Sequence, residues 1–109
     1  MPVREISVSE LQKLRSGGSD VFVLDVRSRD EYDYANIGPD LLVPLDELVD
    51  RMPELSPHEN AHVVVMCRSG ARSAQACNYL MQQGFSNVSN LRGGIRAWSV
   101  EVDPKVPLY

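Results

Sequence analysis

The sequence predicts an α/β domain built on a central, mainly parallel sheet, and three observations carry that prediction. Val21-Phe22-Val23-Leu24-Asp25-Val26 and His62-Val63-Val64-Val65-Met66 are nearly continuous apolar runs, the pattern of strands covered on both faces. Stretches with helical spacing alternate with these runs, as parallel strands joined by crossovers require. Clusters of glycine, proline and serine mark the boundaries between them.

Arg4-Glu5-Ile6 reads as a short edge strand. Ser7 as N-cap with Glu10 three residues on forms a capping box, so a helix is expected from about Val8 to Leu14, ended by Ser16-Gly17-Gly18-Ser19. The apolar run from Val21 to Val26 follows as a central strand. Ser28 and Glu31 make a second capping box, predicting a short helix over Arg29 to Tyr34 that breaks before Gly38-Pro39. Leu41-Leu42-Val43-Pro44 gives a third strand. Leu45, Leu48, Val49 and Met52 fall at helical spacing and predict a helix from Leu45 to Met52 closed by Pro53. Ser56 to Asn60 is a turn, and His62 to Met66 is the fourth strand. A helix from about Ala71 to Gln83 has Gly84 as its C′ residue. Asn87 to Leu91 is a last short strand, Gly93 to Trp98 a tight turn into a small helix, and the tail from Asp103 to Tyr109 is too rich in proline to continue it.

With 109 residues, 43% of them hydrophobic, the chain is expected to form one domain, 1–109, with a core that needs no disulfide staples. Two cysteines, Cys67 and Cys77, do not make a secreted disulfide framework, and Met1-Pro2-Val3-Arg4-Glu5 carries charges where a signal peptide needs an apolar stretch. A reducing, cytoplasmic setting is expected. The net charge of −4 and pI of about 5.0 argue against a surface built to hold nucleic acid. No apolar run approaches the ~20 residues that span a bilayer, so no membrane segment is expected.

The chemistry concentrates at Cys67. The fourth strand delivers this thiol to its carboxyl end, and Arg68-Ser69-Gly70-Ala71-Arg72-Ser73 then turns into a helix. Successive N–H groups in such a turn form an anion-binding nest, and the helix adds its positive end. These surroundings, with two arginines, bring a cysteine pKa from about 8.5 to somewhere between roughly 3.5 and 7.5, which favours thiolate. Gly70 supplies a backbone conformation that other residues disfavour. Arg68 and Arg72 can each present a planar fork to a sulfonate, sulfite or carboxylate, and Ser69 and Ser73 can give hydroxyl hydrogen bonds to a sulfur anion. Asp25, at the carboxyl end of a central strand, is expected to orient a neighbouring loop, and Arg27 and Glu31, four apart, can pair. Cys77 shares a helical face with Ala74, Leu80 and Met81 and should lie about 15 Å along the helix from the loop, at ~1.5 Å per residue, so it reads as core. His58 and His62 have no partner ligands at useful spacing, so no metal site is expected, and Trp98 reads as the anchor of the last helix.

Three motifs resemble the rhodanese-like sulfurtransferases: Asp25-Val26-Arg27 followed by Glu31-Tyr32, the loop Cys67 to Ser73, and Leu91-Arg92-Gly93-Gly94-Ile95-Arg96-Ala97-Trp98. They occur in family order and cover nearly the whole chain. The resemblance implies a three-layer α/β/α fold with about five strands and no cofactor. It also implies a thiosulfate sulfurtransferase-like activity in which Cys67 takes a sulfane sulfur from a small donor, holds it as a persulfide and passes it to a thiophilic acceptor. Arg68, Ser69, Gly70, Ala71, Arg72 and Ser73 would bind the substrate, with Asp25, Arg27 and Glu31 supporting the loop. Ala35-Asn36-Ile37-Gly38 and the ending from Gly93 to Tyr109 look most like the rhodanese domains at the carboxyl end of E1-like adenylyltransferases. That likeness implies a ubiquitin-like sulfur carrier as a partner; a persulfide passed from a cysteine desulfurase would also suit the anion-cradling loop, and a single-domain monomer needs no further assumption. Ala35-Asn36-Ile37 departs from the Gly-His-Ile of many members, which bears on substrate preference.

Two rival readings remain open. Cysteine phosphatases and arsenate reductases also place a cysteine at the start of an arginine-containing loop, but the four residues between Cys67 and Arg72 make a shorter loop, suited to one sulfur atom. A non-catalytic docking module is the other rival, against which the complete Cys67 loop argues.

Overall fold

Both capping boxes form as the sequence predicts, and they fix where the first two helices begin. In the computed structural model, which describes residues 2–109, Ser7 caps helix α1 (Val8–Ser16) and Ser28 caps helix α2 (Arg29–Tyr34), each with its glutamate returning a bond to the cap N–H. Met1, part of the charged amino-terminal stretch, lies outside the described residues. The remaining elements are strands β1 (Arg4–Ile6), β2 (Val21–Asp25), β3 (Leu41–Leu42), β4 (His62–Met66) and β5 (Val88–Leu91), and helices α3 (Met52–Leu55), α4 (Ala71–Gln82) and α5 (Gly94–Glu101).

All strand pairs are parallel, in the order β1-β5-β4-β2-β3. β4 is therefore central, which explains why it is apolar at every position from Val63 to Met66. Its side chains alternate between two cores. Val63, Val65 and Cys67 pack with Ala76, Cys77 and Leu80 of α4, whereas Val64 and Met66 pack with Val8 and Leu11 of α1 and Ile95 and Trp98 of α5. The result is three layers, with α4 on one face and α1 and α5 on the other.

The sheet order also locates the site. The connection from β2 leads outward to β3, and the connection from β4 leads the other way to β5, so the chain switches direction between the adjacent strands β2 and β4. Open parallel sheets bind ligands at the carboxyl ends of strands at such a point. Asp25-Val26-Arg27 leaves β2 there, and Cys67 leaves β4 there.

Three expectations are corrected. The helix predicted from Leu45 to Met52 is a 3-10 turn over Leu45–Glu47 followed by turns, and Pro53 lies in the first turn of α3 instead of closing a helix. Val49 is exposed while Leu48 is buried, so the apolar spacing did not mark one face, and proline fits a first turn because its missing N–H needs no partner there. The third strand shrinks to Leu41–Leu42, although the Val43 and Leu45 N–H groups still bond to the carbonyls of Asp25 and Val26 at 2.8 and 3.1 Å. The last helix runs on past Trp98 to Glu101, because Trp98, Ile95 and Ser99 form one buried face.

Candidate active site

Cys67 is 1% exposed, and its sulfur is held by the turn that follows it. The Gly70 N–H donates to Sγ at 3.1 Å, and the Ser73 hydroxyl lies 3.3 Å from Sγ. Gly70 takes φ of +124°, which aims this N–H inward and starts α4. Burial alone would push the Cys67 thiol up. The Ser73 hydroxyl and the main-chain N–H groups of Ser73, Gly70 and Ser69 outweigh it and hold the thiol below its ordinary value. The site thus favours an anionic sulfur in a dry setting, with neutral donors as the main cause.

The loop is also gripped from outside. Ile95 N–H donates to the Cys67 carbonyl at 3.0 Å and Arg96 N–H to the Arg68 carbonyl at 3.1 Å, so the first turn of α5 lies directly against the cysteine's own peptide. Gly94 permits that approach: a Cβ there would stand 2.5 Å from the Arg68 carbonyl oxygen and against that of Cys67. The third sequence motif is therefore part of the site.

A chain of charged groups surrounds the loop. Asp25 and Arg27 are both fully buried, with Arg27 Nη2 2.8 Å from Asp25 Oδ2 and Arg27 Nε 3.0 Å from Oδ1. Arg27 also donates to the Ala35 carbonyl at 2.7 Å and to the Tyr109 hydroxyl at 2.8 Å. That hydroxyl donates to Glu31 Oε2 at 2.9 Å, and Glu31 in turn receives both arms of Arg72 at 2.6 and 2.9 Å. Arg72, with Ser28, Asp46, Val26, Pro44 and Leu45, lines an open cavity of about 310 Å³.

The predicted residues are thus gathered at one end of the sheet, with different pairings. The side-chain pairing of Arg27 with Glu31 does not form: Arg27 reaches only the Glu31 carbonyl, at 3.3 Å, because Asp25 holds its guanidinium inside, and the Glu31 carboxylate turns out to Arg72. Arg68 is exposed and bends to the tail, its Nε donating to the Tyr109 main-chain oxygen at 2.8 Å and its guanidinium lying 5.1 Å from the Tyr109 ring centre. Ser69 brings its N–H toward the sulfur while Ala71 opens α4 at the surface. Cys77 is buried in the α4-side core, and burial, then the nearby Cys67 charge, pushes its thiol up to about 12. Among the described residues no group of three or more His, Cys, Asp or Glu stands together, His58 stacks on Phe22, and His62 Nε2 lies 3.0 Å from Ser89 Oγ.

Two site residues escape the sequence reading. Asn90 donates to the Gly70 carbonyl at 3.1 Å and accepts from Ser73 at 2.5 Å; its signal was a polar residue in a buried strand. Tyr109 had no signal, since nothing local to a proline-rich tail tells that its ring docks beside residues far back in the chain.

Comparison with known proteins agrees with this fold. Residues 7–101 match the family model described as a rhodanese-like domain. The chain is 43% identical over 97 residues to a sulfurtransferase of Allochromatium vinosum, covering 89% of each chain. It is 35% identical over 109 residues to an adenylyltransferase and sulfurtransferase of Zea mays, covering 95% of this chain but 23% of the longer protein. Among solved structures, the rhodanese-related protein of Thermoplasma volcanium superposes with a TM-score of 0.81 at 31% identity, covering 97% of this chain and 99% of that one. With an all-parallel five-stranded sheet, a cysteine at its switch point and a family match over most of its length, the chain belongs to the rhodanese-like domain family.

Proposed function

We propose that this chain is a rhodanese-type sulfurtransferase in which Cys67 carries the sulfur as a persulfide. The observation that carries the reading is the Cys67 sulfur itself, buried, facing the Gly70 N–H at 3.1 Å and standing at the start of α4. With thiosulfate as donor, the Cys67 thiolate attacks the sulfane sulfur. An S–S bond forms to Sγ, the bond to the sulfite sulfur breaks, and sulfite leaves with the electron pair. The outer sulfur then carries the negative charge, and a nest of N–H donors suits it. A cyanide ion, a thiol or a carrier protein takes that sulfur in the second step, and the thiolate returns. Relatives named for sulfur transfer and sulfur carriage, among them the Zea mays protein and a putative sulfur carrier protein of Bacillus subtilis, support a sulfur-transfer partner, for which a ubiquitin-like sulfur carrier or a cysteine desulfurase is our reading. Ser69, Ala71 and Ser73 shape the nest in this reading, while Arg68 and Arg72 attract an anionic donor at its mouth, supported by Asp25, Arg27 and Glu31.

Intact mass after incubation with thiosulfate tests the proposal. One added sulfur is expected on the protein, lost on treatment with cyanide and absent from Cys67→Ala. A protein that gains no sulfur overturns the reading.

A further inference from the structure

We propose that Asn90 is a positioning residue that governs the Ser73 hydroxyl hydrogen and so biases Cys67 toward the sulfur-loaded form. The inference rests on the persulfide reading of Cys67. Asn90 lies in β5 in register with Val65 of β4, whose side chain faces α4, and this places the amide beneath the Cys67 loop. It is 3% exposed. The orientation of the amide follows from chemistry: Nδ2 donates to the Gly70 carbonyl, which can only accept, so the atom facing Ser73 is the acceptor Oδ1.

Ser73 has one hydroxyl hydrogen, and Asn90 Oδ1 takes it at 2.5 Å. Ser73 Oγ therefore presents a lone pair to Sγ, 3.3 Å away, and the neutral Cys67 thiol is the donor of that contact. A thiolate has no hydrogen to give. Either the Ser73 hydroxyl swings its hydrogen to the sulfur and leaves Oδ1 without that donor inside the protein, or an oxygen lone pair stays pointed at an anion. The first arrangement is the one in which the Ser73 hydroxyl helps to hold the Cys67 thiol low, and it costs the bond to Asn90, so Asn90 weakens that help and opposes the unloaded thiolate. In the persulfide the charge resides on the outer sulfur, Sγ is a neutral bridging atom, and the Ser73 hydrogen stays on Asn90 without loss. The hydrogen only rotates about the Ser73 C–O bond; no proton leaves the residue.

Other groups facing the sulfur do not imitate this effect. From α4 the charged or titratable neighbours that sense Cys67 are Arg72, held by Glu31, and Cys77. β4 contributes apolar side chains, and α5 contributes main-chain N–H groups to the carbonyls of Cys67 and Arg68. Across the switch point Asp25 and Arg27 neutralise one another.

The experiment compares native protein, Asn90→Ala, Ser73→Ala and the double variant by the pH dependence of Cys67 alkylation and by the persulfide-to-thiol ratio at a fixed ratio of thiosulfate to sulfite. Asn90→Ala is expected to lower the alkylation midpoint by about one pH unit and, at a pH above the midpoints of both proteins, to lower the loaded-to-unloaded ratio about tenfold. Both effects should vanish when Ser73 is already alanine. A midpoint that is unchanged or raised, or a shift that persists in the Ser73→Ala background, overturns the proposal, because Asn90 would then act through the Gly70 carbonyl. The S–H stretch of native protein, isolated by difference against Cys67→Ala, needs no substitution at Asn90. A hydrogen-bonded donor band is expected, and a free S–H band overturns the relay even if the Asn90 variant does not fold. If the native protein never acquires sulfur, the persulfide reading fails, while the alkylation midpoint and the S–H band still judge the relay.

Discussion

Glu31 accepts two bonds from Arg72, one from the Tyr109 hydroxyl and one from the Ser28 N–H, and the Arg72 guanidinium above all holds its carboxyl far below the ordinary value despite partial burial. A carboxyl lowered in the folded state contributes stability above its unfolded value and loses it on protonation. The contribution is therefore complete above about pH 5, and it fades as pH falls below the usual glutamate value of about 4.3 and on through the lowered folded value. Glu31→Gln is expected to flatten this part of an acid-unfolding curve. The same change releases the Arg72 fork and removes the negative charge paired with it, so KM for thiosulfate should fall several-fold while kcat changes little, as initial rates would show. An unchanged KM would mean that Arg72 does not meet the donor. The two cysteines should also separate in reactivity: with Cys77 pushed up to about 12 and Cys67 lowered, peptide mapping after brief iodoacetamide treatment of folded protein should find label on Cys67 alone. Label on Cys77 at a comparable rate would contradict its burial.

At the scale of elements, the site is a meeting of three ends: the carboxyl end of β4, the start of α4 and the start of α5. Gly94 is where two of them touch. Gly94→Ala must displace the Cys67 or Arg68 carbonyl, and is expected to cost about 1–3 kcal/mol from overpacking together with ~1–2 kcal/mol for a side chain at its φ of +56°. Gly18→Ala, with φ of +74° and open space around it, isolates the second cost. Denaturant unfolding of both variants checks the difference, and the Gly94 variant should lose sulfur transfer at temperatures where it is still folded. Helix starts with a capping box were legible because Ser7 and Glu10, or Ser28 and Glu31, act within one turn. The segment from Leu45 to Leu55 was not, because Leu48 is buried and Leu45 half-buried by packing against the core rather than by belonging to one helical face.

At the scale of the molecule, the buried pair Asp25 and Arg27 ties the sheet to the tail. It touches β2, the Ala35 carbonyl after α2 and Tyr109, and Arg27 is fully enclosed. Arg27→Met alone should destabilise by about 3–5 kcal/mol, since Asp25 is left as an uncompensated buried charge, whereas adding Asp25→Leu should recover a large part of the loss. Thermal unfolding of the single and double variants checks this. No recovery would mean that the Arg27 bonds to Ala35 and Tyr109, rather than its charge, hold the structure.

The sequence by itself determined the fold class, the two capping boxes, the central strand and the Cys67 loop, because these rest on periodicity and on contacts within a few residues. Tertiary structure alone decided who pairs with whom. Arg72 meets Glu31 across 41 residues, Ser73 meets Asn90 across 17, and Tyr109 meets Glu31 across 78. Arginine and glutamate four apart can pair on a helix, but Asp25 lies closer to Arg27 inside the protein, where an unpaired charge is too costly to leave. Local chemistry placed a reactive sulfur on a turn; only the closing of β5, α5 and the tail around that turn decided which groups hold it.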